Sequence, residues 1–424
     1  MHFLIVLMTG AALLTASPDS TSRVTVKDAT SYIRPEYQQL ARKLAISPAS
    51  VPTNGNQFEK ISAGPRYGEL LFEDFRNASS LIELEIFLFA EDHDGIAARD
   101  ILFDKVRQGV EVRYIYDNFG NFFDSAFDGR KVFTGFYRGL SRGGINMRSL
   151  TPLHRADPSL IRPECRDHRK IGIIDKRIAY VGGMNITSGS ISGWGDTQLR
   201  ITGPAVQCLR SVMLLNWNDL ARNKAQRDEL ILEVAPDASP EGGSIIQVVP
   251  DGYDQPAFMM EEAITWLLDN AKEYIWFETP YFLPPHSIIK AMKRAAGRGV
   301  DVRLIVPIET DMSSFDPAFR SCFRECVEGG VRILYRKPPF NHGKTFLCDD
   351  YIMAVGSSNL DKISLWSLYE INVLVYDRAK ALEQREYLED VMDEAAEVDL
   401  ELIDSWDSAE LFKQSMLRII SPFL

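Results

Sequence analysis

From about residue 67, the pattern of hydrophobic and polar positions along the chain predicts a helix, a strand, a second helix and a second strand in succession. Residues 67–80, YGELLFEDFRNASS, place apolar side chains at helical spacing, and residues 81–89, LIELEIFLF, are rich in β-forming side chains and partly alternate. Residues 96–109 return to helical spacing and end in glycine, and residues 110–117, VEVRYIYD, alternate again. This stretch predicts a unit in which helices and strands follow each other in turn.

The same series occurs a second time, beginning near residue 258. Residues 258–272 have helical spacing, and residues 273–282, EYIWFETPYF, predict a strand. Residues 287–299 predict a helix that ends in glycine, and residues 300–307, VDVRLIVP, predict a further strand. A repeat of strands and helices favours right-handed crossovers. The predicted fold class is α/β, with two pseudo-symmetric lobes, each a mainly parallel or mixed sheet flanked by helices, and an active site at the lobe interface.

Length and composition fit a two-lobed arrangement. The chain has 424 residues, 45% hydrophobic and 25% charged, which suits two or three domains of about 150 residues. Residues 228–243 end in EVAPDASPEGG and have the proline, glycine and acidic content of a linker. The predicted segments are an apolar N-terminal segment at 1–20, a helical extension at 21–50, a first lobe at 51–235, and a second lobe at 240–424 with an apolar and basic C-terminal tail.

The N-terminal residues 3–16, FLIVLMTGAALLTA, form one apolar run. A membrane-spanning helix needs about 20 such residues, so this run is short for a span. Its length suits the core of a secretory signal, with small residues for cleavage near Ala16, but no Lys or Arg precedes it. Three alternatives stay open: a signal peptide, a shallow membrane anchor, and the start of a buried helix.

Charge and cysteine content narrow the class of function. The formal net charge is −12, which argues against bulk electrostatic binding of nucleic acid but leaves room for a local basic pocket. The five cysteines include no CxxC pair, and Cys322 and Cys326 are interpreted as core thiols of a helix. No spacing typical of a metal site is present, so no metal and no cofactor are expected.

Two short motifs stand at matching places in the two copies. Residues 168–175 are HRKIGIID and residues 342–349 are HGKTFLCD, so each has a histidine, a lysine two positions later and an aspartate five further on. The surrounding twenty residues align without gaps. The matched positions that follow are Gly182 and Gly356, Asn185 and Asn359, and then the acids Asp196 and Glu370. A correspondence this long predicts two halves of one site.

The motif residues suit phosphate chemistry. Side chains two apart in a strand share a face, so His168 and Lys170 are expected to project together, as are His342 and Lys344. An imidazole beside an ammonium suits an anionic oxygen. Two-step phosphoryl transfer needs one histidine as nucleophile and another as acid and base. The two copies are therefore expected to face each other and pool their side chains.

The remaining matched residues have supporting roles. The two asparagines, with the lysines, are expected to stabilise a pentacoordinate phosphate by hydrogen bonds. The two matched acids are placed to accept an N–H from a catalytic imidazole and fix its tautomer. Asp175 and Asp349 complete the motifs at the far ends of their strands, where we expect them to hold turn backbone or the lysine rather than touch substrate.

With these features the chain resembles the phospholipase D superfamily, whose motif is a duplicated HxKxxxxD followed by a glycine and asparagine turn, and within it the bacterial cardiolipin synthases. The resemblance covers about residue 50 to the end. Its marks are NGN (54–56), DNFG (117–120), RDHRKIGIIDKRIAYVGGMNI (166–186), DTQLRITGPAV (196–206), ETPYFLPP (278–285), GSSNLD (356–361) and RIISPFL (418–424). It implies a two-lobed α/β fold and a metal-independent two-step reaction, with His168 as the nucleophile and His342 as acid and base.

The second half departs from the pattern of this family. After GSSNLD the family commonly has Arg and Ser, and then an Asn two residues before the acid. This chain has Ile363, Ser364 and Leu368 there, so Ser364 and Glu370 are kept as supporting residues. Gly343 stands between the histidine and lysine, where Ala or a β-former is usual. These departures leave the phosphate chemistry in place and leave the acceptor alcohol open.

The leading hypothesis is a phosphatidyltransferase that forms cardiolipin from phosphatidylglycerol, or from a related donor and acceptor, through a phosphohistidine. The alternative is a phosphodiesterase of the phospholipase D type that hydrolyses phospholipid or, with less support, nucleic acid. Phospholipids and a membrane surface are the expected partners, without nucleic acid. The expected location is the bacterial cell membrane, peripheral or anchored by the N-terminus, with export to the periplasm as the alternative. Residues 415–424 either pack on the second lobe or contact membrane.

Overall fold

The computed structural model describes residues 21–117, 135–150, 166–221, 227–237, 242–252, 255 and 258–420. The predicted apolar segment at 1–20 lies outside these ranges. The strands are β1 Thr21–Asp28, β2 Thr53–Ile61, β3 Leu81–Ile86, β4 Glu111–Asp117, β5 Asn146–Leu150, β6 Lys170–Ile174, β7 Ile178–Gly182, β8 Gln198–Thr202, β9 Glu229–Pro236, β10 Ser244–Asp251, β11 Tyr274–Glu278, β12 Phe282–Leu283, β13 Asp301–Pro307, β14 Arg332–Arg336, β15 Thr345–Cys348, β16 Ile352–Gly356, β17 Leu360–Asp361, β18 Glu370–Tyr376 and β19 Ala396–Val398. The α-helices are α1 Pro35–Leu44, α2 Gly64–Asn77, α3 His93–Arg107, α4 Phe136–Arg142, α5 Ala205–Asp219, α6 Met259–Asn270, α7 His286–Gly297, α8 Asp316–Arg320, α9 Phe323–Glu328, α10 Lys362–Trp366, α11 Arg378–Asp393, α12 Leu400–Asp404 and α13 Ser408–Ile420.

Fifteen strands form one continuous mixed sheet, in the order β19-β14-β13-β11-β15-β16-β18-β10-β2-β8-β7-β6-β3-β4-β5. Outward from the central pair β10 and β2, the two halves repeat the same order, so β15 of the second half corresponds to β6 of the first. Pairing is parallel within β3-β4-β5 and within β11-β13-β14 and antiparallel between the inner strands. The predicted α/β fold with two pseudo-symmetric lobes is confirmed, and its parallel part is limited to three strands in each lobe.

The central strands join the lobes through a buried amide. The Asn56 Nδ2 donates to the carbonyl oxygens of Thr53 at 2.7 Å and of Ser244 at 3.2 Å. Its Oδ1 accepts from the backbone amide of Ala205, at the start of α5, at 2.8 Å. One side chain thus links β2, β10 and α5. The segment NGN at 54–56, one of the marks of the family resemblance, therefore has a structural role.

The hydrophobic core also crosses the lobe boundary. On one face of the sheet, Leu209 and Trp217 of α5 and Leu388 of α11 belong to a single cluster with apolar residues from strands of both lobes. On the other face each lobe has a cluster of its own, with α2, α3 and α4 over the first lobe and α1, α6 and α7 over the second. The shared cluster makes the lobes one packed body, so the relative position of the two motifs is held by core packing.

Two predicted segments differ in the structure. The helical extension at 21–50 is wrong for its first eight residues, because Thr21–Asp28 is β1 and the α-helix begins only at Pro35. The prediction of a linker at 228–243 is wrong for Glu229–Pro236, because these residues form β9, which pairs in parallel with β1. The first segment, TSRVTVKD, alternates apolar and polar side chains over its central residues, and the pairing of β1 with β9 satisfies backbone groups of both strands. Within the described residues no helix is both long and apolar enough to cross a membrane.

Candidate active site

The first motif lies where β6 begins, against the second lobe. Lys170 opens β6, and His168 precedes it in an extended segment whose amide donates to the Tyr369 carbonyl oxygen at 2.9 Å. Asp167 forms an isolated bridge with Tyr369. The Lys170 Nζ donates to the His168 carbonyl oxygen at 2.6 Å, and the Phe87 ring meets the imidazole edge-on at 5.0 Å. The backbone of the other lobe therefore holds the histidine of the first motif.

The second motif repeats this arrangement with the lobes exchanged. The His342 amide donates to the Gly195 carbonyl oxygen at 2.7 Å, and Gly195 forms an isolated bridge with Asn341. The Lys344 Nζ lies 2.8 Å from the His342 Nδ1 and also donates to the carbonyl oxygen of the same residue. Each histidine is thus attached to the segment that carries the matched acid of the opposite lobe.

Each histidine pairs with the acid of the other lobe. The His168 Nδ1 lies 2.9 Å from the Glu370 Oε1, and the His342 Nδ1 lies 2.9 Å from the Asp196 Oδ2. All four side chains are buried. A carboxylate only accepts hydrogen bonds, so a neutral His168 carries its proton on Nδ1 and leaves the Nε2 lone pair for chemistry. The Nδ1 of His342 faces both the Asp196 carboxylate and the Lys344 Nζ. The predicted pairing of acids with imidazoles is present, and it runs between lobes.

Two serines complete the surroundings of Glu370. Ser357 Oγ accepts from the Ile371 amide, and Ser364 Oγ accepts from the Asn359 amide, both at 2.9 Å. Their hydroxyl protons are therefore free to donate, and each donates to one oxygen of the Glu370 carboxyl. With the His168 Nδ1–H this gives three donors to one group, which favours the ionised carboxylate.

Burial shifts the titration of the whole site. The pKa of His168 is well below its usual range because of burial and the neighbouring charges of Lys170, Lys344 and His342. Burial lowers the pKa of Lys170 to about 7, and it raises the pKa of Glu370 to about 7 against the opposing effects of Lys170 and the two serines. The His342 pKa is also lowered, by burial and Lys344, while Asp196 acts in the opposite direction. Burial thus favours the neutral form of both imidazoles, and Asp196 favours the protonated form of His342.

The two predicted asparagines differ in their contacts. Oδ1 of Asn185 accepts from the Leu88 amide at 3.1 Å, so this oxygen holds the chain after β3. Oδ1 of Asn359 is buried without a partner among the described residues. Their role toward phosphate stays a prediction. Among the residues that the structure describes, no three His, Cys, Asp or Glu side chains are grouped as metal ligands.

The aspartate of each motif binds backbone amides, at a place remote from the histidines. The carboxylate of Asp175 accepts from the amides of Ser79, Ser80 and Leu81 at 2.7 to 2.9 Å, in the turn that leads into β3. Asp349 accepts in the same way from the amides of residues 272–274, which lead into β11. Both aspartates have a positive φ of 49°, which Asp tolerates better than most residues. They fasten the hairpin that follows each motif to the neighbouring strand.

Several residues of the site escaped the sequence analysis. Ser357 was part of GSSN but was not singled out, and its counterpart in the aligned frame is Gly183. A Cβ at Gly183 would lie 2.2 Å from the Asp196 Oδ1, so the first lobe has no room for such a hydroxyl. Ser190 stands five residues after Asn185, as Ser364 stands after Asn359, and its Oγ accepts from the Asn185 amide at 3.1 Å. The spacing within the repeat was the signal that could have found it.

The comparison with known families agrees with this geometry. A family model described as "Cardiolipin synthase, PLD-like domain" matches residues 71–213 and 264–392, more than half of the chain. The chain belongs to this phospholipase D-like family. Each matched stretch of the family domain contains one motif together with its asparagine and its acid. The chain is therefore an enzyme of the phospholipase D superfamily.

Curated relatives of this phospholipase D-like chain carry the same family name. It is 31% identical over 396 residues to cardiolipin synthase 1 of Staphylococcus aureus strain COL, covering 92% of this chain and 78% of the relative. It is 30% identical over 395 residues to a cardiolipin synthase of Geobacillus sp. strain WCH70, covering 91% and 75%. The match thus includes both lobes.

Solved structures of other proteins share the fold of this family member. The phosphatidylserine synthase of Haemophilus influenzae Rd KW20 has a TM-score of 0.64 at 14% identity, covering 90% of this chain and 97% of that one. The polyphosphate kinase of Porphyromonas gingivalis has a TM-score of 0.53 at 16% identity, covering 87% and 53%. At these identities the likeness concerns the fold alone.

Proposed function

We propose that this enzyme is a phosphatidyltransferase that forms cardiolipin and glycerol from two molecules of phosphatidylglycerol, through a phosphohistidine. The observation that carries the proposal is the reciprocal pairing of His168 with Glu370 and of His342 with Asp196, beside two buried lysines. Relatives named cardiolipin synthase over most of the chain support this choice of reaction.

In the first half-reaction the His168 Nε2 attacks the phosphorus of the donor lipid and a P–N bond forms. The Nδ1 proton, held by Glu370, leaves the Nε2 lone pair available and lets the carboxylate offset the positive charge that develops on the ring. The bond from phosphorus to the headgroup oxygen breaks, and that oxygen takes the Nε2 proton of His342, which enters this step as an imidazolium paired with Asp196. The products are free glycerol, a phosphatidyl group on His168, and neutral His342.

In the second half-reaction the headgroup hydroxyl of a second lipid gives its proton to the His342 Nε2 and attacks phosphorus. The P–N bond breaks and its electron pair returns to His168, so cardiolipin leaves and both histidines regain their starting states. Lys170 and Lys344 offset the charge of each pentacoordinate phosphate, and the side-chain amides of Asn185 and Asn359 are proposed as further donors. His342 thus acts as the acid in the first half-reaction and as the base in the second, without a net proton change.

A membrane surface is the proposed place of the reaction. Helix α13 exposes Leu411, Phe412 and Met416, and the exposed fraction of Phe412 is 66%. Its Glu410 accepts from Arg320 of α8 at 3.4 Å, and the same guanidinium donates to the Ile308 carbonyl oxygen at 2.9 Å. An amphipathic helix with exposed large apolar residues suits peripheral contact with a bilayer. We propose such contact with a bacterial membrane.

A lipid product assay tests the proposed reaction. Purified enzyme is mixed with vesicles of phosphatidylglycerol labelled in the headgroup glycerol and in the acyl chains. We expect labelled free glycerol and acyl-labelled cardiolipin in equal amounts. Phosphatidic acid as the acyl-labelled product, without cardiolipin, would mean that water is the acceptor and that the enzyme is a hydrolase. The variant His168→Ala serves as the inactive control.

A further inference from the structure

The wall beside His342 contains a tyrosine that is tied to an exposed acid. The Tyr281 ring meets the His342 imidazole edge-on, with 5.8 Å between centroids, and it stacks on Phe319 at 5.2 Å. Its hydroxyl donates to the Asp311 Oδ1 at 2.5 Å. Tyr281 is buried, whereas Asp311 is exposed in the loop that follows β13. The pair therefore links the surroundings of the histidine to solvent.

The charge of Asp311 reaches the reacting groups. Burial and Lys344 lower the pKa of His342, and the negative charge of Asp311 acts in the opposite direction, as it does on Lys344 itself. An acid this close to a phosphate site repels the anionic substrate, which is a cost. Asp311 has no role in the two half-reactions of the proposed transfer. Among the described residues only the other oxygen, Oδ1, accepts a hydrogen bond, so the exposed Oδ2 is available to a ligand that donates hydrogen bonds.

The described residues at the matching place in the first lobe are apolar. Glu85 of β3 pairs with Ile171 and Glu278 of β11 pairs with Thr345, and Ile171 and Thr345 hold the same place in the two motifs. The residue three positions after each glutamate is Leu88 in the first lobe and Tyr281 in the second. The His168 imidazole has the half-buried Phe87 as its ring neighbour. Among the described residues, the His168 imidazole thus has an apolar ring beside it, whereas the His342 imidazole has Tyr281 and its acid.

We propose that Tyr281 and Asp311 form the binding site for the hydroxyl-bearing headgroup of the acceptor, with the free Asp311 oxygen accepting hydrogen bonds from glycerol hydroxyls. This assignment rests on the proposed function, in which His342 takes the proton of the incoming alcohol. A headgroup held on the His342 side brings its reacting hydroxyl to that base. The Tyr281 hydroxyl fixes the orientation of the acid.

A partition experiment separates acceptor binding from the first step. The donor is a phosphatidyl ester of p-nitrophenol, whose leaving group has no hydroxyl and needs no headgroup site. Release of nitrophenolate reports formation of the phosphoenzyme, which then passes its phosphatidyl group either to added glycerol or to water. The ratio of phosphatidylglycerol to phosphatidic acid does not depend on how fast the phosphoenzyme forms. It therefore reports the acceptor site alone.

We expect Asp311→Asn to lower this ratio by about tenfold or more, which is the size of effect of losing a hydrogen bond to a charged group. Tyr281→Phe, which keeps the carboxylate but frees it to rotate, should lower the ratio by a smaller factor. Glu309→Gln, the same charge change two residues away at an exposed position, should leave the ratio unchanged. An unchanged ratio in Asp311→Asn would overturn the proposal.

Two further outcomes are decisive. If ethanolamine replaces glycerol as the acceptor and only its transfer falls in Asp311→Asn, the carboxylate binds an ammonium and the assignment to a hydroxylated headgroup is wrong. If Asp311→Asn does not fold, the ratio in Tyr281→Phe decides, and a value equal to that of the unmodified enzyme rejects the site. Absence of nitrophenolate release from the unmodified enzyme would instead contradict the proposed function itself.

Discussion

The His168 Nδ1 lies 2.9 Å from the Glu370 Oε1, although the two residues belong to different lobes and stand 202 positions apart. The reciprocal pair, His342 and Asp196, repeats the relationship over 146 positions. Each lobe therefore contributes the histidine of one pair and the acid of the other. Neither lobe alone holds a histidine with its acid, which gives a physical reason for the duplicated motif.

The first prediction concerns Glu370. We expect Glu370→Gln to lower kcat by about 10²–10⁴-fold, because the amide carries no charge to offset the imidazolium and can orient the ring in the wrong tautomer. Steady-state kinetics on vesicles, with circular dichroism to verify the fold, measure the effect. The matched control is Glu383→Gln on the exposed side of α11. A loss of less than about threefold would remove Glu370 from the mechanism.

The second prediction separates the two histidines. In His342→Ala the general acid is absent, so transfer from phosphatidylglycerol should almost cease, whereas a p-nitrophenyl ester should still phosphorylate His168 because its leaving group needs no proton. The expected result is a stoichiometric burst of nitrophenolate and an acid-labile phosphoenzyme found by mass spectrometry. His168→Ala should give no burst. A phosphoenzyme on His342 in that variant would reverse the assigned roles.

The third prediction is a pH dependence that arises from Lys170. Because burial lowers its pKa to about 7, the ammonium loses its proton as the pH rises through that value, and kcat/KM should fall on the alkaline side. An arginine stays charged over this range. We therefore expect Lys170→Arg to be slower at pH 6 but to show an alkaline limb displaced upward by about one unit or more. Identical alkaline limbs in the two pH–rate profiles would show that another group titrates.

The repeat and its matched residues could be predicted from sequence because each copy is a local pattern. Spacing within about thirty residues carries the motif, the asparagine and the acid together. The crossing of the pairs could not be predicted, since it depends on the antiparallel contact of β10 with β2, which sets one lobe against the other. The prediction of a helical extension was also wrong where Thr21–Asp28 is a strand, because β1 is formed by pairing with the distant β9.

Other contacts of the site form between residues on neighbouring strands, and the spacing of residues along the sequence does not show which strands are neighbours. Ser357 donates to Glu370 only because β16 and β18 are neighbours in the sheet. Asp311 and Tyr281 are thirty positions apart and meet through the parallel pairing of β11 with β13. Asp311 belongs to no motif, and nothing in ETPYFLPP, which contains Tyr281, indicates this partner, so their contact was accessible only from the structure.

The fourth prediction concerns stability. Burial alone would raise the pKa of Asp175, but the hydrogen bonds from the Ser79 and Leu81 amides outweigh it and lower the pKa below its usual range. Its contribution is therefore complete above about pH 4 and is lost as the pH falls through the lower pKa of the folded state. We expect Asp175→Ala to reduce the free energy of unfolding by about 3 kcal/mol at pH 7, with a smaller difference in acid.

Urea unfolding at pH 7 and at lower pH measures this difference. The control is Asp104→Ala on the exposed side of α3, which should change the free energy of unfolding by less than about 0.5 kcal/mol. An Asp175→Ala protein of unchanged stability but with abolished activity would place the carboxylate in the chemistry instead of in the turn.

The last prediction tests the membrane contact of α13. Phe412 and Met416 lie one helical turn apart and are both exposed, so we expect them to enter the bilayer together. Burying a Phe or Met side chain is worth about 1.5–3 kcal/mol, so Phe412→Ser with Met416→Ser should weaken binding to phosphatidylglycerol vesicles by about tenfold or more in a sedimentation assay. Turnover of a soluble p-nitrophenyl phosphodiester should be unchanged, because none of the contacts described for α13 involves a residue of the site. Leu215→Ser on α5, with an exposed fraction of 57%, is the matched control. If that variant loses vesicle binding and the α13 variant does not, the enzyme meets the bilayer through its first lobe.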